Sequence, residues 1–355
     1  MKIRPSLSWL LVFVPAAVGL DLLAPERPTL VFLAACVAVI PLAGWLGKAT
    51  EHLAERTSEG VGGLLNATFG NAAEIIIALF ALRRGLTEVV KASITGSIIG
   101  NILLVLGLAF LTGGVRHRRQ EFNVAGARVQ ATMLTLAAIA LIMPALFHHL
   151  VGAGEAERTL SLEISVVLMV TYGLLLLFSL HTHRQLFTGT AAEAADREHE
   201  PWSLGRSLGV LVASAAVIGW MSEILVGSVE AAAESLGMTE VFVGVIVVAV
   251  VGNAAEHSTA VLMAWKNRMD LAVGIAVGSS VQIALFVAPL LVFASLILAP
   301  EPMDLVFTPA EVVAVGLAIL ITGQIAGDGR SNWLEGAQLL AVYLILGIVF
   351  YFIPA

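Results

Sequence analysis

Two stretches decide the fold: GGLLNATFGNAAEIIIALFAL at residues 62–82 and GVIVVAVVGNAAEHSTAVLMA at residues 244–264. They align without a gap at an offset of 182 and share the pentapeptide GNAAE. The first copy holds Gly70, Asn71 and Glu74, and the second holds Gly252, Asn253 and Glu256. The same offset pairs Arg84 with Lys266, Glu88 with Asp270, Gly96 with Gly278 and Ser97 with Ser279. Alanines and leucines match by chance in apolar sequence, but glycine, asparagine and glutamate in register do not. The chain therefore reads as a duplicated unit.

The surroundings of the two copies are apolar. Of 355 residues, 58% are hydrophobic and 13% charged, with a mean hydropathy of +0.93. No soluble core of this size hides that much apolar surface, so lipid serves as the solvent for much of it. Within a bilayer only helices or a closed barrel satisfy the backbone. Alternating apolar and polar strands are absent, and apolar runs near twenty residues recur, so the class is all-α integral membrane protein. Spans are expected near 6–23, 29–49, 61–82, 89–113, 124–147, 160–180, 204–226, 241–264, 271–298, 309–325 and 334–353, eleven in all. The first run, at 7–20 behind Lys2 and Arg4, has the look of a secretory leader but reads as an uncleaved first helix because ten spans follow. Cys36, the single cysteine, lies in an apolar run and reads as packing, which leaves no disulfide framework.

With the N-terminus in the cytoplasm, fourteen of the 19 Lys and Arg fall on the inner side. The other five, Arg27, Arg83, Arg84, Lys91 and Arg158, fall outside or near the outer end of a span. The polar stretch 181–203, with Glu193, Asp196, Glu198 and Glu200, reads as a solvated cytoplasmic connector between two halves. The division expected is a first helix at 1–28, a five-helix repeat at 29–180, the connector, and a second repeat at 204–355. The GNAAE copies fall on the third and eighth spans. Five helices separate them, so the copies cross in opposite directions, the signature of secondary transporters with an ion site near the midplane.

Glu74 and Glu256 sit deep in apolar segments, where an ionised carboxylate is costly and marks function. Asn71 lies three residues before Glu74, and Asn253 three before Glu256, which puts each pair on one helix face. Calcium takes six to eight oxygens from carboxylates, amides, carbonyls and water. Two glutamates and two asparagines supply about six, and two carboxylates cancel the ion's charge. Gly70 and Gly252 let a helix loosen so that carbonyls face the ion. Once the metal leaves, two bare carboxylates close together in a low dielectric cannot both stay ionised, so protons take its place.

Weaker candidates surround this core. Ser97 and Asn101 in GSIIGN, with Ser279 and Gln282 in GSSVQI, line the site or pack helices through small residues. Glu51, Glu55 and Glu59 share one helix face, as do Glu223, Glu230 and Glu234, and either row forms a cation pathway or a solvated helix end. His257 has no counterpart in the first copy, where Ile75 stands, and tunes the proton step or simply packs.

The paired GNAAE motifs, the GLLNATFGN lead-in, GSSVQIALFVAP and the GNAAEH variant resemble the calcium/proton exchangers of the cation/calcium exchanger superfamily. The resemblance runs from about residue 30 to the C-terminus. It implies eleven helices, with a peripheral first helix and two inverted five-helix repeats, and antiport of calcium against protons. It also implies that Glu74 and Glu256 are the central carriers with Asn71 and Asn253 beside them. The choice of protons as counter-ion rests on this resemblance. Plant and fungal members carry a long cytoplasmic N-terminal extension, and this chain has about five residues before its first helix, which points to a prokaryotic cell-membrane protein. Some members form homo-oligomers, a state carried here as an open alternative.

Other classes fare less well. Around His52, His199 and His257 there is no HExxH pair, and the chain lacks a nucleophile elbow and a phosphate loop, so an embedded enzyme is disfavoured. Opposed repeats argue against a channel. A sodium-driven or manganese exchanger on the same fold stays open as the alternative. No cofactor and no nucleic acid are implied; the partners are the bilayer, calcium as transported substrate, and protons.

Overall fold

The computed structural model describes residues 7–57, 59–152, 154–186, 202–325 and 327–353. Among them the chain is helical almost throughout, in the order α1 (Leu7–Leu23), α2 (Pro28–Ala54), α3 (Glu59–Phe69), α4 (Ala72–Arg83), α5 (Thr87–Arg116), α6 (Val124–Val151), α7 (Glu155–Thr182), α8 (Leu204–Leu236), α9 (Glu240–Gly252), α10 (Ala254–Trp265), α11 (Met269–Leu298), α12 (Pro309–Ile325) and α13 (Trp333–Phe352). Seven of these are long and apolar enough to cross a bilayer, and α9 with α10, bent by 62° at their junction, make an eighth. The apolar α1 and α12 are shorter. Each expected span falls on one helix or, at 61–82 and 241–264, on two helices that meet at a break.

Several helices outrun the expected spans by two to five residues, and one by ten. Helix α8 continues ten residues beyond the span expected to end at 226, through the alanine-rich VEAAAES, because good helix formers extend a helix after hydropathy has fallen. It stops at Gly237, which takes the left-handed conformation (φ 64) that lacks a Cβ penalty. Helix α7 runs on to Thr182. Most of the connector, with Glu193, Asp196, Glu198 and Glu200, lies outside the described residues.

Contacts gather the chain into two compact units, and each takes residues from both halves of the sequence. The first comprises Met1–Ser93, Pro201–Ala255 and Ile353–Ala355. Within it α2 lies along α8, α1 packs on α2, α4 packs on α8, and α9 touches α2 and α4. Phe32, Leu46, Ile77, Leu82, Ile218 and Met221 are buried there. Trp202 stacks near Trp45 (5.9 Å) and His52 (4.6 Å), with the Arg206 guanidinium 4.3 Å above its ring.

The second unit comprises Ile94–Glu200 and Glu256–Phe352. Here α13 crosses α5 at glycines: a Cβ on Gly336 would lie 2.3 Å from the Leu111 nitrogen, so only glycine allows this approach. Helix α11 packs on α6 and α7, and α12 on α6. A two-residue antiparallel ribbon pairs β1 (Gln120–Glu121) with β2 (Arg330–Ser331), with Gln120 opposite Ser331. The buried Gln120 donates from Nε2 to the Ala264 carbonyl (2.8 Å), which holds the far end of α10.

Between α11 and α12 the chain is irregular yet partly buried. Met303, Leu305 and Phe307 alternate inward like a strand. Backbone N–H groups there have no helical partner, so side chains serve: Met303 donates to Ser295 Oγ (2.8 Å) and Leu305 to Ser161 Oγ (3.1 Å).

Candidate cation site

Both GNAAE copies interrupt a helix. In the first, α3 ends at Phe69, Gly70 and Asn71 form a turn, and α4 starts at Ala72. In the second, α9 ends at Gly252 and Asn253 alone separates it from α10. Asn71 (φ −96, ψ 17) and Asn253 (φ −92, ψ 4) share one backbone conformation, the sparsely populated bridge region. The two alanines that follow restart the helix. Helices α4 and α10 then have identical bounds at the offset of 182, as do α5 and α11. Each Asn and Glu is expected on one face of a helix loosened at the preceding glycine, and the structure has a break one residue later. Each asparagine stands at the break, and each glutamate occupies the first turn of the helix beyond it. An acidic side chain there faces the positive end of the helix dipole.

Burial follows the same division. Asn71 and Asn253 are 0% and 1% exposed, and Glu74 and Glu256 are partly buried. In the first unit Glu74 lies directly against the second copy: a Cβ on Gly252 would sit 2.7 Å from Glu74 Cγ. Glycine is therefore required for this approach, in addition to standing beside the break. Asn253 commits its amide nitrogen to its own helix, donating to the Ala249 carbonyl at 2.9 Å. Gly70 is exposed in its turn.

In the second unit Glu256 accepts a hydrogen bond from Ser279 Oγ on α11. His257 Nε2 lies 3.1 Å from Asn101 Oδ1, so the imidazole donates to the amide oxygen. Asn101 is buried in a π-helical turn of α5, Gly100–Val105, and α11 has a π turn at the matching place, Ile283–Val287. Such bulges locally disturb the hydrogen-bond ladder and gather at functional sites. Ser97 is buried one turn before the first bulge, and Gln282 is partly buried beside the second. Ser279→Ala removes a donor to a carboxylate, an interaction that typically shifts affinity about tenfold. Titration of the purified variant with calcium is expected to show that weakening, with the melting temperature unchanged.

The outlying acids are placed as follows. Glu51 and Glu55 are exposed at the end of α2, and Glu55 lies 3.3 Å from His52 Nδ1. Glu230 is exposed on α8. Glu223 pairs with Arg84 at 2.6 Å, both half-exposed, on the wall of an open cavity of about 390 Å³ that Asp21 and Trp220 also line. The side chain of Glu59 lies outside the described residues. Among the described residues no three His, Cys, Asp or Glu side chains gather as a metal cluster. Two buried carboxylates, Glu157 in α7 and Glu311 in α12, lie outside the residues that the sequence singles out.

Comparison with known proteins places this arrangement. The sodium/calcium exchanger protein family matches residues 27–181 and 206–352. A Ca2+/H+ antiporter of Aphanothece halophytica is 49% identical over 338 residues, 91% of this chain and 90% of that protein. A Ca2+/H+ antiporter of Bacillus subtilis is 47% identical over 346 residues, 96% of this chain and 98% of that one. The solved structure of native YfkE superposes with a TM-score of 0.82 at 43% identity, covering 97% of this chain and 100% of its own.

Proposed function

The chain belongs to the sodium/calcium exchanger protein family, and from that premise we propose that it is a secondary active transporter exchanging calcium for protons by alternating access. The observation that carries the reading is the duplicated break: two asparagines with one backbone conformation, each followed by a glutamate in the first turn of a helix. Discontinuous helices of this kind supply ion sites in transporters, because half-helix ends and loosened carbonyls face the cargo.

In this reading Glu74 and Glu256 bring two negative charges to one calcium ion, and the amide oxygens of Asn71 and Asn253 add neutral ligands. Ser97, Ser279, Asn101 and Gln282 line the path, and Ser279 orients the Glu256 carboxylate through its hydroxyl. When calcium departs, protons neutralise the two carboxylates, so the carrier returns loaded with protons. His257, tied to Asn101, steadies the helix start that carries Glu256. We further propose eleven crossings with the N-terminus in the cytoplasm, in a prokaryotic cell membrane. The two repeats then run in opposite senses and exchange conformations to open the site alternately to each side. Glu51, Glu55 and Glu230 attract cations toward it.

Purified protein in sealed vesicles tests the exchange. An imposed pH gradient without sodium is expected to drive calcium uptake that a protonophore abolishes. Uptake that requires a sodium gradient would assign the other counter-ion to the same site.

A further inference from the structure

We propose that Glu311 is a positioning residue for calcium transport, acting through Thr95 on the stretch of α5 that carries Ser97 and Asn101. The inference rests on the exchange reading above and concerns a side chain outside the duplicated motifs.

Glu311 is 1% exposed. Part of its role is local: with Thr308 it forms a complete capping box at the start of α12. Its Oε2 accepts from the Thr308 nitrogen (2.9 Å) and Oγ1 (2.7 Å), and its own nitrogen donates back to Thr308 Oγ1 (3.3 Å). A cap does not need burial, and an exposed glutamate caps a helix without the cost of leaving water. The cap also uses only one carboxylate oxygen. The other, Oε1, accepts from Thr95 Oγ1 at 2.7 Å, across 216 residues of sequence. Thr95 is itself 1% exposed. Among the described residues no Lys, Arg or His forms an ion pair with Glu311. A buried carboxylate held only by hydroxyls and one backbone N–H is expensive, so the contact it makes with α5 needs a reason beyond packing.

The position of Thr95 supplies one. It is the second residue of α5 within the second unit, just ahead of Ser97. Asn101 follows about 9 Å along the helix axis at 1.5 Å per residue. Between them the π turn Gly100–Val105 begins, where the regular ladder no longer fixes helical register. An anchor ahead of such a turn sets where the residues within it stand. Asn101 in turn receives the His257 hydrogen bond, next to Glu256. Glu311 thus acts on the site through α5, without touching the cargo.

The test compares Thr95→Val, Thr95→Ser and Glu311→Gln with the unmodified protein, reading the KM for calcium and the maximal rate of pH-driven uptake. Thr95→Val is expected to raise KM roughly tenfold, the effect of losing a donor to a charged group, with the maximal rate little changed. Thr95→Ser keeps the hydroxyl and is expected to restore wild-type KM. In a Glu311→Gln background, where Thr95 meets a neutral amide instead of a carboxylate, Thr95→Val is expected to raise KM less than in the unmodified protein. A Thr95→Val KM equal to wild type overturns the proposal. So does equal damage by valine and serine, or a loss of folded protein with KM unchanged. If the unmodified protein shows no uptake, the exchange reading fails instead, and calcium binding to the solubilised variants still decides whether Thr95 positions the site.

Discussion

Vesicles holding Glu74→Gln or Glu256→Gln protein should take up no more calcium under a pH gradient than vesicles without protein. Each substitution preserves side-chain volume and leaves one oxygen, so the helix breaks at Asn71 and Asn253 have no steric reason to change. What is lost is half the negative charge facing a divalent ion. At an effective dielectric near 20, one unit charge within contact distance contributes several kcal/mol, or roughly a thousandfold in affinity. An amide also does not titrate and cannot take up the proton that replaces the metal, so the return half of the cycle is impaired as well. Stability should move the other way or not at all, since an uncharged side chain is cheaper to hold in an apolar segment. Variants that fold and melt like the parent yet transport nothing meet the expectation. Variants that transport normally remove the paired carboxylates from the account.

The second large effect is expected at a residue without a side chain. Gly252→Ala would place a Cβ 2.7 Å from Glu74 Cγ, closer than real Cβ contacts allow. The clash is with the middle of the glutamate side chain, so it is not relieved by moving a flexible tip. Either the carboxylate swings away or α9 retreats, and a displacement near 1 Å at a reacting group can cost about a hundredfold. Calcium binding should therefore weaken by a factor of that order, with the carboxylate chemically intact. Gly274→Ala on α11 is the control, because a Cβ there meets nothing within 4 Å. Equal affinities in the two variants, read by calorimetric titration, would show that Glu74 does not need its present place against Gly252.

Much of this was legible from residue types alone. Glycine, asparagine and glutamate recurring in register inside apolar runs reveal a duplicated site, because nothing in packing asks for that set twice. The membrane class follows equally directly from the apolar runs. The break at each asparagine was not legible, because one residue in the bridge region leaves hydropathy untouched. Spacing suggested only a helix loosened at the glycine, with Asn and Glu on one face. The overrun of α8 was hidden for the reverse reason: its last turns are polar enough to end a span but too rich in alanine to end a helix. Long-range pairing was out of reach altogether. Glu223 reads as one member of an acidic row, and its partner Arg84 stands 139 residues away. The TPAE sequence at 308–311 announces a helix start, but nothing in it says that Glu311 is buried or that Thr95 meets its second oxygen.

In this mechanism calcium and protons compete for the same two carboxylates. The pH dependence of calcium binding to the solubilised protein tests it without any need for flux. If binding displaces protons from both glutamates, acidification should weaken apparent affinity, toward about two protons released per ion bound where both are protonated beforehand. Glu74→Gln and Glu256→Gln should each flatten that dependence. Calcium affinity that stays constant across the acidic range, or a dependence unchanged in both variants, would contradict the account.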